Sequence, residues 1–326
     1  MAGPASDAVL DRGLLEAPAV RRRMLVVVNP KATSVDSRLR RLVVAALQSR
    51  YEVVATDTAE RGHATELARD AARDGVDVVV TVGGAGTLNE AANGLAGTGI
   101  PLFPLPAGSQ NVYAKMLGIP ADVVDATEHL LHLADDWHPR QVDLGRVEGR
   151  YFAFSAGAGL DASVVERVDA HPERKARWRQ WYYAETAAAV FLRRYLVHPP
   201  RLVATGPEGD VDGITVLVQN GDPYTYAGSR PIRVCTDVAL DSGTLSAGVL
   251  ERATPLDMPT MAARLLSERL EVTGHAHAAS LTGLRELRVR AAEGSEPFAV
   301  QVDGDFLGRF EQVTFDVAPG ALTVVA

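Results

Sequence analysis

From residue 24 the chain alternates short apolar runs with stretches whose apolar residues recur every three to four positions. Met24 to Val28 and Tyr51 to Ala55 read as strands. Between them, Leu39, Leu42, Val43, Ala46 and Leu47 mark one face of a helix over 36–48, because that spacing lines a single helical stripe. A second helix over 63–74 leads to Val78-Val79-Val80-Thr81-Val82, a β-branched run expected to be buried on both faces. A helix over 88–95, a strand over 100–105, a helix from near Ser109 and another from Pro120 complete the segment. Strands alternating with helices predict right-handed crossovers and a mostly parallel sheet covered on both sides.

After His138-Pro139 the rhythm changes. Residues 141–147 and 150–156 read as a hairpin, followed by strands over 201–205, 213–220, 231–236, 244–250, 270–274, 284–291 and 297–302. Short strands separated by Gly, Pro and Asp turns predict an antiparallel sandwich. Helical stretches over 160–169, 175–197 and 256–267 interrupt it. The expected organisation is α/β plus all-β: a tail over 1–21, an α/β domain over 22–139 and a sandwich over 140–312.

The 326 residues leave ample chain for a sizeable core. Apolar residues at 47% and charged residues at 23% exclude general disorder. With 33 Lys and Arg against 41 Asp and Glu, the net charge of −8 has the wrong sign for a protein held on nucleic acid by phosphate contacts. The single cysteine, Cys235, excludes an internal disulfide and suits a reducing cytoplasm, and its expected place is the core. No apolar run approaches the roughly 18 residues that span a bilayer. Arg21 to Arg23 before Met24 to Val28 imitate a signal peptide, but Asn29-Pro30 ends the run.

The chemistry concentrates in Thr81-Val82-Gly83-Gly84-Ala85-Gly86-Thr87-Leu88-Asn89-Glu90, a strand running through three glycines into a helix. Glycines permit close backbone approach and a helix N-terminus offers unpaired N–H groups, which together make a phosphate cradle. A tight strand-to-helix turn, with glycines serving only the backbone, is the alternative. Neither a G-x-x-x-x-G-K-[ST] loop nor a complete dinucleotide fingerprint is present. The next strand ends in a similar unit, Pro106-Ala107-Gly108-Ser109-Gln110-Asn111. Asn29-Pro30-Lys31-Ala32-Thr33, after the first strand, is a third polar loop, with Asn29 and Thr33 as hydrogen-bonding groups. Loops after parallel strands share the carboxyl edge of the sheet, where ligands of such sheets bind.

Six segments in order resemble the diacylglycerol kinase catalytic family, which includes bacterial lipid kinases and sphingosine kinases. They are Val28-Asn29-Pro30, Gly83-Gly84-x-Gly86-Thr87, Pro106-x-Gly108-Ser109-x-Asn111, Val142-Asp143-Leu144-Gly145, Gly157-x-Gly159-Leu160-Asp161-Ala162 and Val302-Asp303-Gly304-Asp305, spanning residues 24 to 326. The resemblance implies ATP in a cleft between the two domains, a final strand over 313–326 returning to the first domain, and phosphoryl transfer to a lipid hydroxyl. Implied nucleotide contacts are Asn29, Thr33, Gly83, Gly84, Ala85, Gly86, Thr87, Glu90, Gly108, Ser109 and Asn111. Asp305 stands where the family places its general base, although by itself Asp303-Gly304-Asp305 reads as a polar hairpin turn.

Two departures from the family pattern bear on metal. Ala85 replaces the Asp of a G-G-D-G-T loop, removing a carboxylate the family associates with Mg²⁺-ATP or base chemistry. Leu240-Asp241-Ser242-Gly243-Thr244-Leu245 resembles an L-D-D-G-x-L turn that holds a structural Mg²⁺, with Ser242 in the ligand's place and Asp241 retained. Mg²⁺ is accordingly expected to arrive with ATP. The alternatives are a non-catalytic nucleotide- or lipid-binding relative, a pseudokinase, and, further off, an NAD kinase.

Residues 173–197 mix Arg174, Lys175, Arg177, Arg179, Arg193 and Arg194 with Trp178, Trp181, Tyr182, Tyr183 and Phe191. This composition suits an anionic bilayer surface, and equally a helix packed on the sandwich with its charges in water. A cytoplasmic protein touching the inner membrane face, and a homodimer, are the expectations for location and assembly. His275 and His277 imitate a metal pair without a matching carboxylate. Asp161 reads as a helix cap.

Overall fold

The computed structural model describes residues 21–32, 36–170, 186, 200–227, 230–235, 237–252, 254, 257–265, 267 and 272–326. Expectations for the tail, for Thr33 and for 173–197 lie outside the described residues.

The first part runs β1 (Arg23–Val28), α1 (Ser37–Leu47), β2 (Glu52–Asp57), α2 (His63–Arg73), β3 (Val78–Gly83), α3 (Ala85–Leu95), β4 (Pro101–Pro106), α4 (Val112–Met116) and α5 (Val123–Leu133). Strands β2, β1, β3 and β4 are parallel neighbours in that order. Every residue of β3 and β4 is buried, as a parallel strand covered on both faces requires. Asp36 starts α1 by accepting from the Arg38 and Leu39 N–H groups at 2.9 and 2.7 Å, and Asp122 does the same for α5. Caps of this kind are worth about 1 kcal/mol each. Gly94 in α3 lets α2 approach closely, since a Cβ there would fall 2.5 Å from the Thr65 carbonyl oxygen.

The chain continues as β5 (Arg140–Val147), β6 (Arg150–Phe152), β7 (Ser155–Gly159), α6 (Leu160–Asp169), β8 (Leu202–Gly206), β9 (Gly209–Gly213), β10 (Thr215–Gln219), β11 (Thr225–Ala227), β12 (Arg230–Ile232) and β13 (Leu245–Leu250). It ends in α7 (Met258–Leu265), β14 (Ala278–Leu284), β15 (Glu286–Ala291), β16 (Phe298–Val302), β17 (Asp305–Phe310) and β18 (Gln312–Val324). A six-stranded sheet in the order β14-β13-β10-β7-β16-β17 faces a layer made of β5, β6, β8, β9, β15 and the first half of β18. Their shared core includes Phe152, Ala156, Ala158, Val216, Val218, Leu245, Phe298, Val300 and Phe315, all at most 1% exposed. Burying each large apolar side chain contributes about 1.5–3 kcal/mol.

The two parts share one sheet. Strand β18 pairs β15 over Gln312–Asp316, runs along β5, and reaches β4 through Thr323 and Val324. One layer of the sandwich is therefore continuous with the parallel sheet, in ten strands.

Several expected strands differ. Residues 150–156 are two strands in different sheets, because the Ala153, Phe154 and Ser155 N–H groups turn to the Asp303 carboxylate instead of a ladder partner. The expected strand over 284–291 is the end of β14 plus all of β15, with the chain passing between sheets at Arg285. Residues 272–274 form a 3₁₀ turn.

Candidate active site

Strand β3 ends at Gly83, Gly84 precedes the helix in extended conformation, and α3 opens at Ala85 with no side chain capping it. The loop after β4 lies directly against it: Ala107 N–H donates to the Gly83 carbonyl at 3.1 Å, and a Cβ at Gly108 would fall 2.6 Å from Gly84 Cα. Only glycine at 108 allows two backbones to meet this closely. Asn29 joins the first loop to the second, donating from Nδ2 to Thr87 Oγ1 at 3.2 Å while its Oδ1 accepts from Lys31 N–H at 2.9 Å. Thr87 is buried, folded over Gly83. Asn29, Gly83, Gly84, Ala85, Gly86, Thr87, Gly108, Ser109 and Asn111 thus meet at the carboxyl edge of the parallel strands.

Their side chains divide by task. Asn111, at φ 49°, spends its carboxamide on its own loop, accepting from Gly108 N–H at 2.9 Å and donating to the Gly108 carbonyl at 3.0 Å. Ser109 is exposed at the loop tip. Glu90 turns away from the glycines: its carboxylate accepts from the N–H groups of Gly62 at 2.9 Å and Ala64 at 3.2 Å. It caps α2, whose own N-cap residue is a glycine.

The acidic hairpin between β16 and β17 places its two carboxylates differently. Asp303 and Gly304 have φ 48° and 83°, the paired positive values of a tight hairpin turn. Asp303 is buried and accepts from Ala153, Phe154 and Ser155 N–H at 2.7, 3.1 and 3.1 Å, and from Asn89 Nδ2 at 2.7 Å. Burial pushes its carboxyl up to about 6, against the opposing pull of these four donors. Asp305 is partly exposed and faces the glycine loop: a Cβ at Gly86 would lie 3.3 Å from its Oδ2, and Arg61 Nη2 is 3.6 Å from the same oxygen.

Behind the hairpin lies a polar network. Gln301 Oε1 accepts from Gly304 N–H at 2.8 Å, while its Nε2 donates to Asp161 Oδ2 at 2.8 Å. Tyr224 OH donates to the same Asp161 oxygen at 2.8 Å. Burial raises the Asp161 carboxyl, and these two donors pull it back. Asp161 is therefore not the helix cap expected; Gly159 precedes α6, which has no side-chain cap.

Asp143 ties the turn over 240–245 to the end of the chain, accepting from Gly243 N–H at 2.6 Å and Gly320 N–H at 2.8 Å. In that turn Asp241 is exposed, and Ser242 Oγ reaches the carbonyls of Ala239 and Thr244 at 2.9 and 3.1 Å. Ser242 thus turns its hydroxyl inward on the turn's own carbonyls and offers no carboxylate there. His275 and His277 are engaged with Thr260 and Arg252, each at 3.0 Å. Among the described residues no three His, Cys, Asp or Glu side chains are grouped to hold a metal ion. Arg61, Gln301 and Tyr224 join the site without a sequence signal of their own, and Asn89, within the glycine-loop segment, gives no sign in the sequence of its bond to Asp303.

A glycine-loop α/β unit sharing its sheet with a sandwich that carries an acidic hairpin defines the architecture. Residues 23–147 match the family described as "Diacylglycerol kinase catalytic domain", and residues 154–326 match "YegS C-terminal NAD kinase beta sandwich-like domain". A diacylglycerol kinase of Mycobacterium tuberculosis is 31% identical over 202 residues, 60% of this chain and 60% of that protein's length. The Pseudomonas aeruginosa protein named "Probable lipid kinase YegS-like" is 29% identical over 311 residues, 93% of each chain. The crystal structure of a diacylglycerol kinase from Bacillus anthracis superposes with a TM-score of 0.68 at 20% identity, covering 93% of this chain and 96% of that one, a likeness of fold. The chain belongs to the diacylglycerol kinase family of lipid kinases.

Proposed function

We propose that the protein is an ATP-dependent lipid kinase that transfers the γ-phosphoryl group to the hydroxyl of diacylglycerol or a related lipid alcohol. The observation that carries this reading is the approach of Asp305 to the first turn of α3, beside Gly86. A partly exposed carboxylate at that point accepts the proton of a hydroxyl attacking a phosphate held along the glycine loop. The uncapped N-terminus of α3 and the glycine backbone at 83–86 supply N–H groups for that phosphate. Asn29, through Thr87, holds the loop in place, and Ser109 at the exposed tip of the neighbouring loop is a further hydroxyl contact.

The protein's own residues do not fit a tightly held Mg²⁺. Ala85 offers no carboxylate, Glu90 and Asp303 are spent on N–H groups, and Ser242 closes the second turn. Mg²⁺ then comes as the counter-ion of ATP. Ala85 is also the observation favouring the second reading, a nucleotide- or lipid-binding relative without turnover. Access to the lipid is from a membrane surface, through 173–197; no helix among the described residues is long and apolar enough to cross a bilayer.

Transfer of label from γ-labelled ATP in mixed micelles, with diacylglycerol, other lipid alcohols and NAD as separate acceptors, tests this reading. Labelled lipid is expected. Labelled NAD instead, or ATP binding with no labelled product, contradicts it.

A further inference from the structure

Arg61, a cation beside Asp305 at 3.6 Å, comes from outside every motif. Arg61 stands one residue before Gly62, the N-cap of α2. Its position is set from the glycine-loop side: Glu90 of α3 accepts from Gly62 and Ala64 N–H, and Thr65 Oγ1 donates to the Glu90 carbonyl at 2.8 Å. These bonds tie the segment carrying Arg61 to the helix that the glycine loop opens. Guanidinium, carboxylate and the first turn of α3 consequently meet at one point.

The pair is loosely made. Its N···O distance is 3.6 Å and the Arg61 side chain is 64% exposed. Such a pair adds little to stability and yields readily to a better anion. Phosphate is that anion, because its oxygens match the planar guanidinium fork and the bond is charge-assisted.

We propose that Arg61 is a catalytic residue that neutralises the transferring phosphoryl group, the task for which this glycine loop has no metal-binding carboxylate. The proposal rests on the kinase reading. Without nucleotide, Arg61 holds Asp305. With ATP on the loop, the guanidinium moves to the γ-phosphate, and the Asp305 carboxylate acts as base. In the transfer the acceptor oxygen bonds to the γ-phosphorus and its proton passes to the Asp305 carboxylate. The bond from that phosphorus to the bridging oxygen breaks, and its electron pair leaves on ADP. Arg61 stays protonated throughout.

The test is equilibrium titration with ATP and with ADP, each in EDTA and in Mg²⁺, of the unaltered chain, Arg61→Met and Arg61→Lys, with thermal unfolding as the control for folding. In EDTA the unaltered chain is expected to prefer ATP over ADP by about tenfold or more, the scale of a charge-assisted bond to phosphate. Arg61→Met is expected to lose that preference, and Arg61→Lys to keep part of it. If Arg61→Met keeps the ATP preference and the rate of lipid phosphorylation, or weakens ATP and ADP equally, the proposal fails while the kinase reading stands. If the unaltered chain binds no nucleotide, the kinase reading fails and takes the proposal with it.

Discussion

Asn89 and Asp303, 214 residues apart in sequence, are joined by a hydrogen bond of 2.7 Å from Asn89 Nδ2 to Asp303 Oδ2. It connects the glycine-loop helix to the acidic hairpin, and so sets where Asp305 stands relative to Gly86. The same carboxylate holds the Ala153–Ser155 crossing between the two sheets. One buried side chain therefore fixes both the fold's crossover and the site's alignment.

That arrangement predicts a pH dependence. The Asp303 carboxyl lies at about 6 against an ordinary 3.8, so folding favours its protonated form. Its contribution is complete below about pH 4 and is lost as pH rises through about 6, by about 3 kcal/mol from linkage. Asp303→Asn is less stable at low pH, because its amide NH₂ faces backbone N–H donors, and it lacks this slope. Denaturant unfolding of both proteins from about pH 4 to pH 7 is expected to show their stability difference narrowing as pH rises. A difference that widens contradicts the account.

Gly108→Ala tests the contact between the two loops. Its Cβ would sit 2.6 Å from Gly84 Cα and 2.9 Å from Asn111 Oδ1. Backbone cannot swing aside as a side chain does, so the loops must part, at about 1–3 kcal/mol of stability. ATP affinity measured by calorimetry is expected to fall by about tenfold or more. Unchanged affinity would mean that the two loops do not form one nucleotide site.

The turn closed by Ser242 predicts indifference to divalent cations. Addition of Mg²⁺ or EDTA is expected to leave the melting temperature of the nucleotide-free chain unchanged, whereas Ser242→Asp, which restores a carboxylate, gains stability with Mg²⁺. A rise with Mg²⁺ in the unaltered chain contradicts this reading.

Ala85→Asp introduces a carboxylate at the first residue of α3. Lipid phosphorylation in Mg²⁺ is expected to rise at least about tenfold, with a matching increase in sensitivity to EDTA. An unchanged rate would show that position 85 does not limit turnover.

The sequence makes the repetitive features legible and hides the contacts between distant segments. The continuous apolar runs of β3 and β4 and the glycines after β3 announce a buried parallel sheet with its loops at one edge, because strand burial and turn chemistry are local. The partner of Glu90 is not local: its carboxylate caps a helix whose own N-cap is glycine, and only the packing of α2 on α3 reveals it. Asp303 and Asp305 stand two residues apart; the resemblance singles out Asp305, but only the hairpin shows that Asp303 turns inward to four donors while Asp305 faces Gly86. Arg61 has no motif at all. Likewise, β18 reads as a returning strand, and its joining of the parallel sheet to the sandwich depends on partners from three other strands, β4, β5 and β15.

The measurement that bears most directly on the central claim is single-turnover phosphoryl transfer by Asp305→Asn, with ATP affinity determined on the same protein. Loss of a general base predicts a fall in the transfer rate of about a hundredfold or more, with ATP binding within about threefold of the unaltered chain. A transfer rate within about threefold of the unaltered chain would show that Asp305 does not take the acceptor's proton.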